Sequence, residues 1–123
     1  MSRLWLLAGA ISAFVSVAAG AFGAHALKAS LDPAALAVWE TASRYQMVHA
    51  LALVAVALGA RTFRTRALDA AGAAVVLGTL LFSGSLYALA FTGIRGLGMI
   101  TPIGGVAFLA GWACLGWAAL RER

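Results

Sequence analysis

Charge is what this chain has least of. Nine Lys and Arg and four Asp and Glu make up 11% of its 123 residues, where a soluble domain carries about a quarter. A water-soluble fold built from it would expose large apolar patches, which aggregate or recruit partners. An ordinary soluble enzyme, a disordered tail and a nucleic-acid-binding domain are thereby excluded. Cysteine is scarcer still: the single Cys114 can form no intramolecular disulfide, and one lone thiol is no metal or redox motif. Heptads, solenoid repeats, low-complexity tracts and an inverted repeat are all missing. What remains is largely hydrocarbon, 63% of the residues with a mean hydropathy of +0.96. The class is an integral membrane protein with one small domain.

The apolar residues divide into four stretches. Leu4 to Ala24 runs 21 residues without a formal charge, enough to cross about 30 Å of hydrocarbon as a helix. A secretory signal with a loose cleavage site around Ala24-His25-Ala26 is the alternative, but the run is long for a signal core and reads as a retained helix. Asp32 before Pro33 is a helix start, with Asp as N-cap and Pro at the first position. Glu40 and Arg44 then interrupt the apolar character, leaving 16 charge-free residues from Tyr45 to Ala60. A short interfacial helical segment is expected over 33–44, with Trp39 and Tyr45 in the aromatic belt; one tilted helix is the competing picture. A third span is expected over 70–92 and a fourth over 102–120. Thr101-Pro102 caps the last one, after a glycine-rich loop carrying Arg95. A longer helix kinked at Pro102 is the alternative there.

Four spans (4–24, 45–60, 70–92 and 102–120) form an all-α four-transmembrane-helix bundle and put both termini on one side. That side collects Arg3, Arg61, Arg64, Arg66, Arg121 and Arg123; the other has Lys28, Arg44 and Arg95. The positive-inside rule makes the basic side cytoplasmic. The net charge of +5 fits attraction to anionic headgroups, so the lipid bilayer is the first expected partner. No nucleic acid is expected, because no basic residue stands among the interleaved aromatics that base stacking needs.

Membrane helices associate through small residues, and Ala8, Ser12, Ser16, Gly20 and Ala24 recur every four positions on one face of the first span. This helix-packing face serves either the bundle itself or a homo-oligomer or larger membrane complex. The remaining polarity gathers in the outer half: His25, Glu40, Arg44, Tyr45, Gln46, His49, Ser83, Ser85, Tyr87, Arg95 and Thr101. Thr79, Ser83 and Tyr87 repeat every four residues on one helix face. His49 falls inside the second span, where an unpaired polar group costs several kcal/mol. It is expected to bond Tyr87, Ser83 or a carbonyl. His25, His49 and Glu40 match no metal spacing, Gly93, Gly96 and Gly98 are not a dinucleotide fingerprint, and no cofactor is expected.

Five segments in order carry a resemblance: Gly20-Ala21-Phe22-Gly23-Ala24-His25; Tyr45-Gln46 with His49; Leu81-Phe82-Ser83-Gly84-Ser85-Leu86-Tyr87; Thr101-Pro102-Ile103-Gly104-Gly105; and Phe108-Leu109-Ala110-Gly111-Trp112. Over practically the whole chain the sequence closely resembles domain-of-unknown-function family 423. That family comprises small bacterial inner-membrane proteins with mitochondrial relatives named transmembrane protein 256. The resemblance implies a four-helix protein of the bacterial cytoplasmic membrane and supplies no activity or catalytic residue. The leading expectation is an interaction, scaffold or accessory subunit. Binding of a small solute, anion or lipid in an outer-half polar pocket, as part of a channel or transporter, comes second. A membrane enzyme comes last, since nothing supplies a nucleophile.

Overall fold

A proline-free run whose only formal charge is Arg3 forms the first helix, α1, over Ser2–Leu27. In the computed structural model, which describes residues 2–62 and 66–121, α1 is α-helical except for a π-helical segment at Ala18–Gly23. A turn follows, and Asp32 then caps the second helix as expected: its carboxylate accepts the Ala35 N–H at 2.7 Å, and Pro33 stands in the first turn. This helix, α2, runs unbroken over Pro33–Gly59. The separate interfacial segment expected over 33–44 is therefore corrected to one continuous helix. The sequence there holds no Gly or Pro to break it, and Glu40 and Arg44 point away from the interior, where their charge needs no interruption of the backbone.

The connection that follows includes Arg64, which lies outside the described residues, as does Arg123. Helix α3 covers Arg66–Thr92, with a second π-helical segment at Thr79–Ser83. It stops at Gly93, whose φ of +69° is left-handed and whose N–H closes on the Leu89 carbonyl at 2.8 Å. Only glycine takes that conformation without strain. The expected loop carrying Arg95 is in part a 3₁₀ helix over Arg95–Met99. Helix α4, Thr101–Arg121, begins one residue earlier than expected. Pro102 lies in its first turn, where a missing N–H costs nothing. Thr101 does not cap it; its hydroxyl pairs with Ser85 instead.

The stretches Ser2–Leu27, Arg66–Thr92 and Arg95–Arg121 are long and apolar enough to cross a membrane. Helix α2 is as long, but its polar residues dilute it. It is nevertheless the most covered of the four, with Ala42, Ala50, Leu53 and Val56 almost completely buried. Helix α1 lies along α2 and α4 along α3, while α2 and α3 join the two pairs. The start of α1, the end of α2, the start of α3 and the end of α4 share one core cluster of Trp5, Val56, Ala57, Leu68, Ala71 and Ala118 with their neighbours. The helices therefore alternate in direction. At this end Trp5 donates its indole N–H to Asp69 Oδ1 at 2.9 Å, a contact with no sequence-level signal.

Close approach is set by glycine. A Cβ on Gly9 would stand 2.9 Å from the Ala50 carbonyl oxygen, and one on Gly104 would collide with the Phe82 backbone. Neither obstacle is a flexible side-chain end. Gly104→Ala is therefore expected to cost about 1–3 kcal/mol through overpacking, seen as a lower unfolding temperature in detergent. Gly116→Ala, which meets open space, should leave that temperature unchanged or raise it.

Candidate functional site

Helix α2 carries polar side chains at its middle, and the neighbouring helices supply their partners. Three sets result. In the first, Tyr87 Oη–H donates to Gln46 Oε1 at 2.7 Å, and Gln46 Nε2–H donates to Ser12 Oγ at 3.3 Å. This chain links α3, α2 and α1. Gln46 is 7% exposed.

The second set is built on His49, 4% exposed. Trp112 on α4 donates its indole N–H to His49 Nε2 at 3.0 Å. An indole nitrogen only donates, so Nε2 is unprotonated and the ring proton sits on Nδ1. From there it is given to the Tyr45 carbonyl, 2.7 Å away. The ring lies nearly parallel to Phe108, with centroids 3.5 Å apart and planes 11° apart. Tyr45 and Phe82 complete the aromatic group. Of the partners expected for His49, a carbonyl is found, while Tyr87 pairs with Gln46 and Ser83 with backbone. The sequence alone does not pair His49 with Trp112, although Phe108 and Trp112, four residues apart on one helix, are a signal for the aromatic face that meets it.

The third set ties hydroxyls to backbone. Ser16 donates to the Ser43 carbonyl at 2.7 Å and Ser83 to that of Ala42 at 2.8 Å. Ser85 donates to the Phe82 carbonyl at 3.0 Å and pairs with Thr101 at 2.5 Å. Ser83 and Tyr87, four residues apart, bond Ala42 and Gln46, four residues apart on α2, and Thr79 and Tyr87 also line grooves beside α1. A π segment runs through Thr79–Ser83. The other π segment brings Ala19 to Trp39. The Ala19 carbonyl takes the long π bond from Ala24 and also accepts the Trp39 indole N–H at 2.8 Å.

The remaining members of the expected cluster do not join. His25, Glu40, Arg44 and Arg95 are exposed, as is much of Tyr45. His25 lies near the end of α1 and does not meet His49, and the described residues hold no group of three metal-binding side chains. The small face of α1 is turned inward. Ser12 and Ser16 bond to α2, Ala24 is buried, and a Cβ on Gly20 would lie 3.1 Å from Ser43 Oγ.

Two cavities lie along the seam between α1 and α3. One groove of about 280 Å³ is walled by Ala8, Ile11, Ser12 and Val15 of α1 and Val76, Thr79 and Leu80 of α3, with Gln46 and Leu53 as floor. A second, of about 450 Å³, continues past Val15 and Ala19, with Gly84, Tyr87, Ala88 and Phe91 opposite and Trp39 beneath.

Both ring nitrogens of His49 are consumed by structure, so its removal should read as lost stability. His49→Leu leaves the Trp112 N–H without an acceptor and is expected to cost about 1–3 kcal/mol. Trp112→Phe on the same background should recover part of that loss, so the pair deviates from additivity in a double-mutant cycle of unfolding in detergent.

Residues 19–105 match the family described as protein of unknown function, DUF423. The UPF0382 membrane protein SH2409 of Staphylococcus haemolyticus is 46% identical over 113 residues, covering 92% of each chain. The UPF0382 membrane protein YwdK of Bacillus subtilis is 42% identical over 97% of this chain and 98% of its own. The UPF0382 inner membrane protein YgdD of Escherichia coli K12 is 41% identical over 99% and 93%. No solved structure matches. The apolar helices and these relatives agree on a multi-pass protein of the bacterial cytoplasmic (inner) membrane, and the chain belongs to the DUF423 family, whose molecular function is not established.

Proposed function

We propose that this chain is a four-span interaction or accessory protein of the cytoplasmic membrane, with both termini in the cytoplasm. Its role is to engage another membrane component sideways, within the bilayer. Supporting four spans, α2 is 27 residues long and packs along helices that are themselves long enough to span. Its charged Glu40 and Arg44 are exposed in its first half. Supporting the orientation, Arg3, Arg61, Arg66 and Arg121 gather at the end where Trp5 meets Asp69, and short basic connections favour the cytoplasm.

One observation carries the interaction reading. Among the described residues, every buried side-chain nitrogen and oxygen has a hydrogen-bond partner within the chain, so the buried outer-half polar residues close on one another and on backbone carbonyls rather than around a solute. What stays open is the lateral groove. An anion pocket at His49 would need a nitrogen that Trp112 or the Tyr45 carbonyl already occupies, and a catalytic reading meets the same obstacle.

Two measurements test this. Alkaline phosphatase fused after residue 30 or 94 should be active, and fusions after residue 62 or at the C-terminus inactive; the reverse pattern, or opposite-side termini, overturns the topology. Native mass spectrometry of the protein released in nanodiscs from its own membrane should give a complex heavier than the 12.6 kDa chain. A bare monomer under all mild conditions overturns the interaction role.

A further inference from the structure

A cavity of about 400 Å³ lies between the start of α1 and the end of α2, lined by Ser2, Arg3, Leu6, Ala57, Leu58 and Arg61. It shares no residue with the grooves between α1 and α3. Each of the two helices brings one guanidinium to it. Arg121, at the same end of the molecule, lies over the Trp117 ring. The Arg3 and Arg61 side chains, by contrast, make no ion pair, hydrogen bond or ring contact among the described residues. Asp69 does not line the cavity, and its carboxylate accepts the Trp5 indole N–H elsewhere. Two like charges around one hollow repel each other, and an anion between them removes that penalty.

The cavity has an apolar continuation. Arg3, Leu6, Ala10, Ala13 and Val17 follow one another in steps of three and four, so they share one face of α1. On that face a second hollow, of about 370 Å³, is lined by Ala10, Ala13, Phe14, Val17, Ala18 and Phe22. The alanines are its floor, while Phe14 and Phe22 are 78% and 74% exposed and stand above it. Leu6 and Val17 are eleven residues apart, about 17 Å along the axis. One leaflet's share of the hydrocarbon is about 15 Å.

Head and tail together select the occupant. Guanidinium groups hold phosphate through paired N–H donors, and basic pockets between membrane helices receive anionic headgroups. The apolar stripe leads away from the arginines along α1, as an acyl chain leads away from its phosphate. A free phosphate leaves that stripe unused. A second helix is held off the alanines by the two projecting rings, whereas a flexible chain follows the floor. A zwitterionic lipid brings an ammonium of its own, which two guanidiniums repel. We propose that the seam of α1 and α2 binds one anionic phospholipid, with its phosphodiester between Arg3 and Arg61 and one acyl chain along Leu6, Ala10, Ala13 and Val17. The site does not rest on the interaction role; only its assignment to the cytoplasmic leaflet follows from the topology proposed above.

The test is native mass spectrometry of the full chain in non-ionic detergent, titrated with phosphatidylglycerol or with phosphatidylcholine. The chain should retain one phosphatidylglycerol and release phosphatidylcholine. Arg3→Gln and Arg61→Gln should each weaken retention about fivefold, the worth of one basic residue at an anionic headgroup. Arg121→Gln, which removes the same charge at the same end, should leave it unchanged. Ala10→Phe fills the trough and should also weaken retention. All four positions are exposed, and an unchanged unfolding temperature without lipid shows that each variant is folded. Glycerol 3-phosphate in excess should not displace the lipid. Equal retention of phosphatidylcholine, an equal loss from Arg121→Gln, or indifference to Ala10→Phe overturns the site. Displacement by glycerol 3-phosphate assigns the arginines to a free phosphate and overturns the lipid, as does a dimer that forms in place of the lipid adduct.

Discussion

Hydrocarbon offers polar groups no water, and the arrangement of α2 follows from that constraint. Helix α2 carries Ser43, Gln46 and His49 into the interior, and each needs a partner from the protein. The Ser43 hydroxyl donates back to the Glu40 carbonyl of its own helix, while Gln46 meets Ser12 of α1 and Tyr87 of α3, and His49 meets Trp112 of α4. Ser16 of α1 and Ser83 of α3 add bonds to the Ser43 and Ala42 carbonyls. Because the partners are distributed in this way, the polar residues fix the rotation of every helix about its axis. Apolar side chains facing lipid tails could not do so, since the tails are as apolar as they are.

The second requirement is proximity. Interhelical bonds of 2.7–3.3 Å demand backbones that nearly touch, and Gly9 and Gly104 provide the approach on the two sides of the molecule. Polarity and small size therefore act together. Ser16 can reach the Ser43 carbonyl because the face it shares with Gly20 is low enough to sit on α2. At the other end Trp5 fills the space over Gly72 and bonds Asp69, closing the lower mouth between α1 and α3. Above that closure the two helices part, and the groove lined by Ser12, Gln46 and Thr79 opens.

Much of the fold was legible in the residues. The start at Asp32-Pro33, the small face of α1 and the interior placement of His49 were read from capping rules, periodicity and hydropathy. The break expected at Arg44 was not found, because a charge on the outer face of a helix interrupts hydropathy without interrupting hydrogen bonding. The period of four through Thr79, Ser83 and Tyr87 agrees with Ser83 and Tyr87 both meeting α2, at Ala42 and Gln46, but carries no sign of the π segment at Thr79–Ser83. Among the expected polar residues, Gln46, His49, Ser83, Ser85, Tyr87 and Thr101 are engaged inside; His25, Glu40, Arg44 and Arg95 lie outside and take no part.

The sequence by itself determined the membrane class, where each apolar stretch begins and ends, and which residues carry polarity into hydrocarbon. Those properties are local, set by side-chain chemistry and by spacings of a few residues. Only the tertiary structure decided that Trp112 holds His49, that Tyr87 holds Gln46, and that Gly84 faces open space while Gly104 does not. The first two join positions 63 and 41 residues apart, and all three depend on how each helix is turned toward its neighbours. That turn is set by the joint satisfaction of every buried donor and acceptor, and no single stretch of the chain contains it.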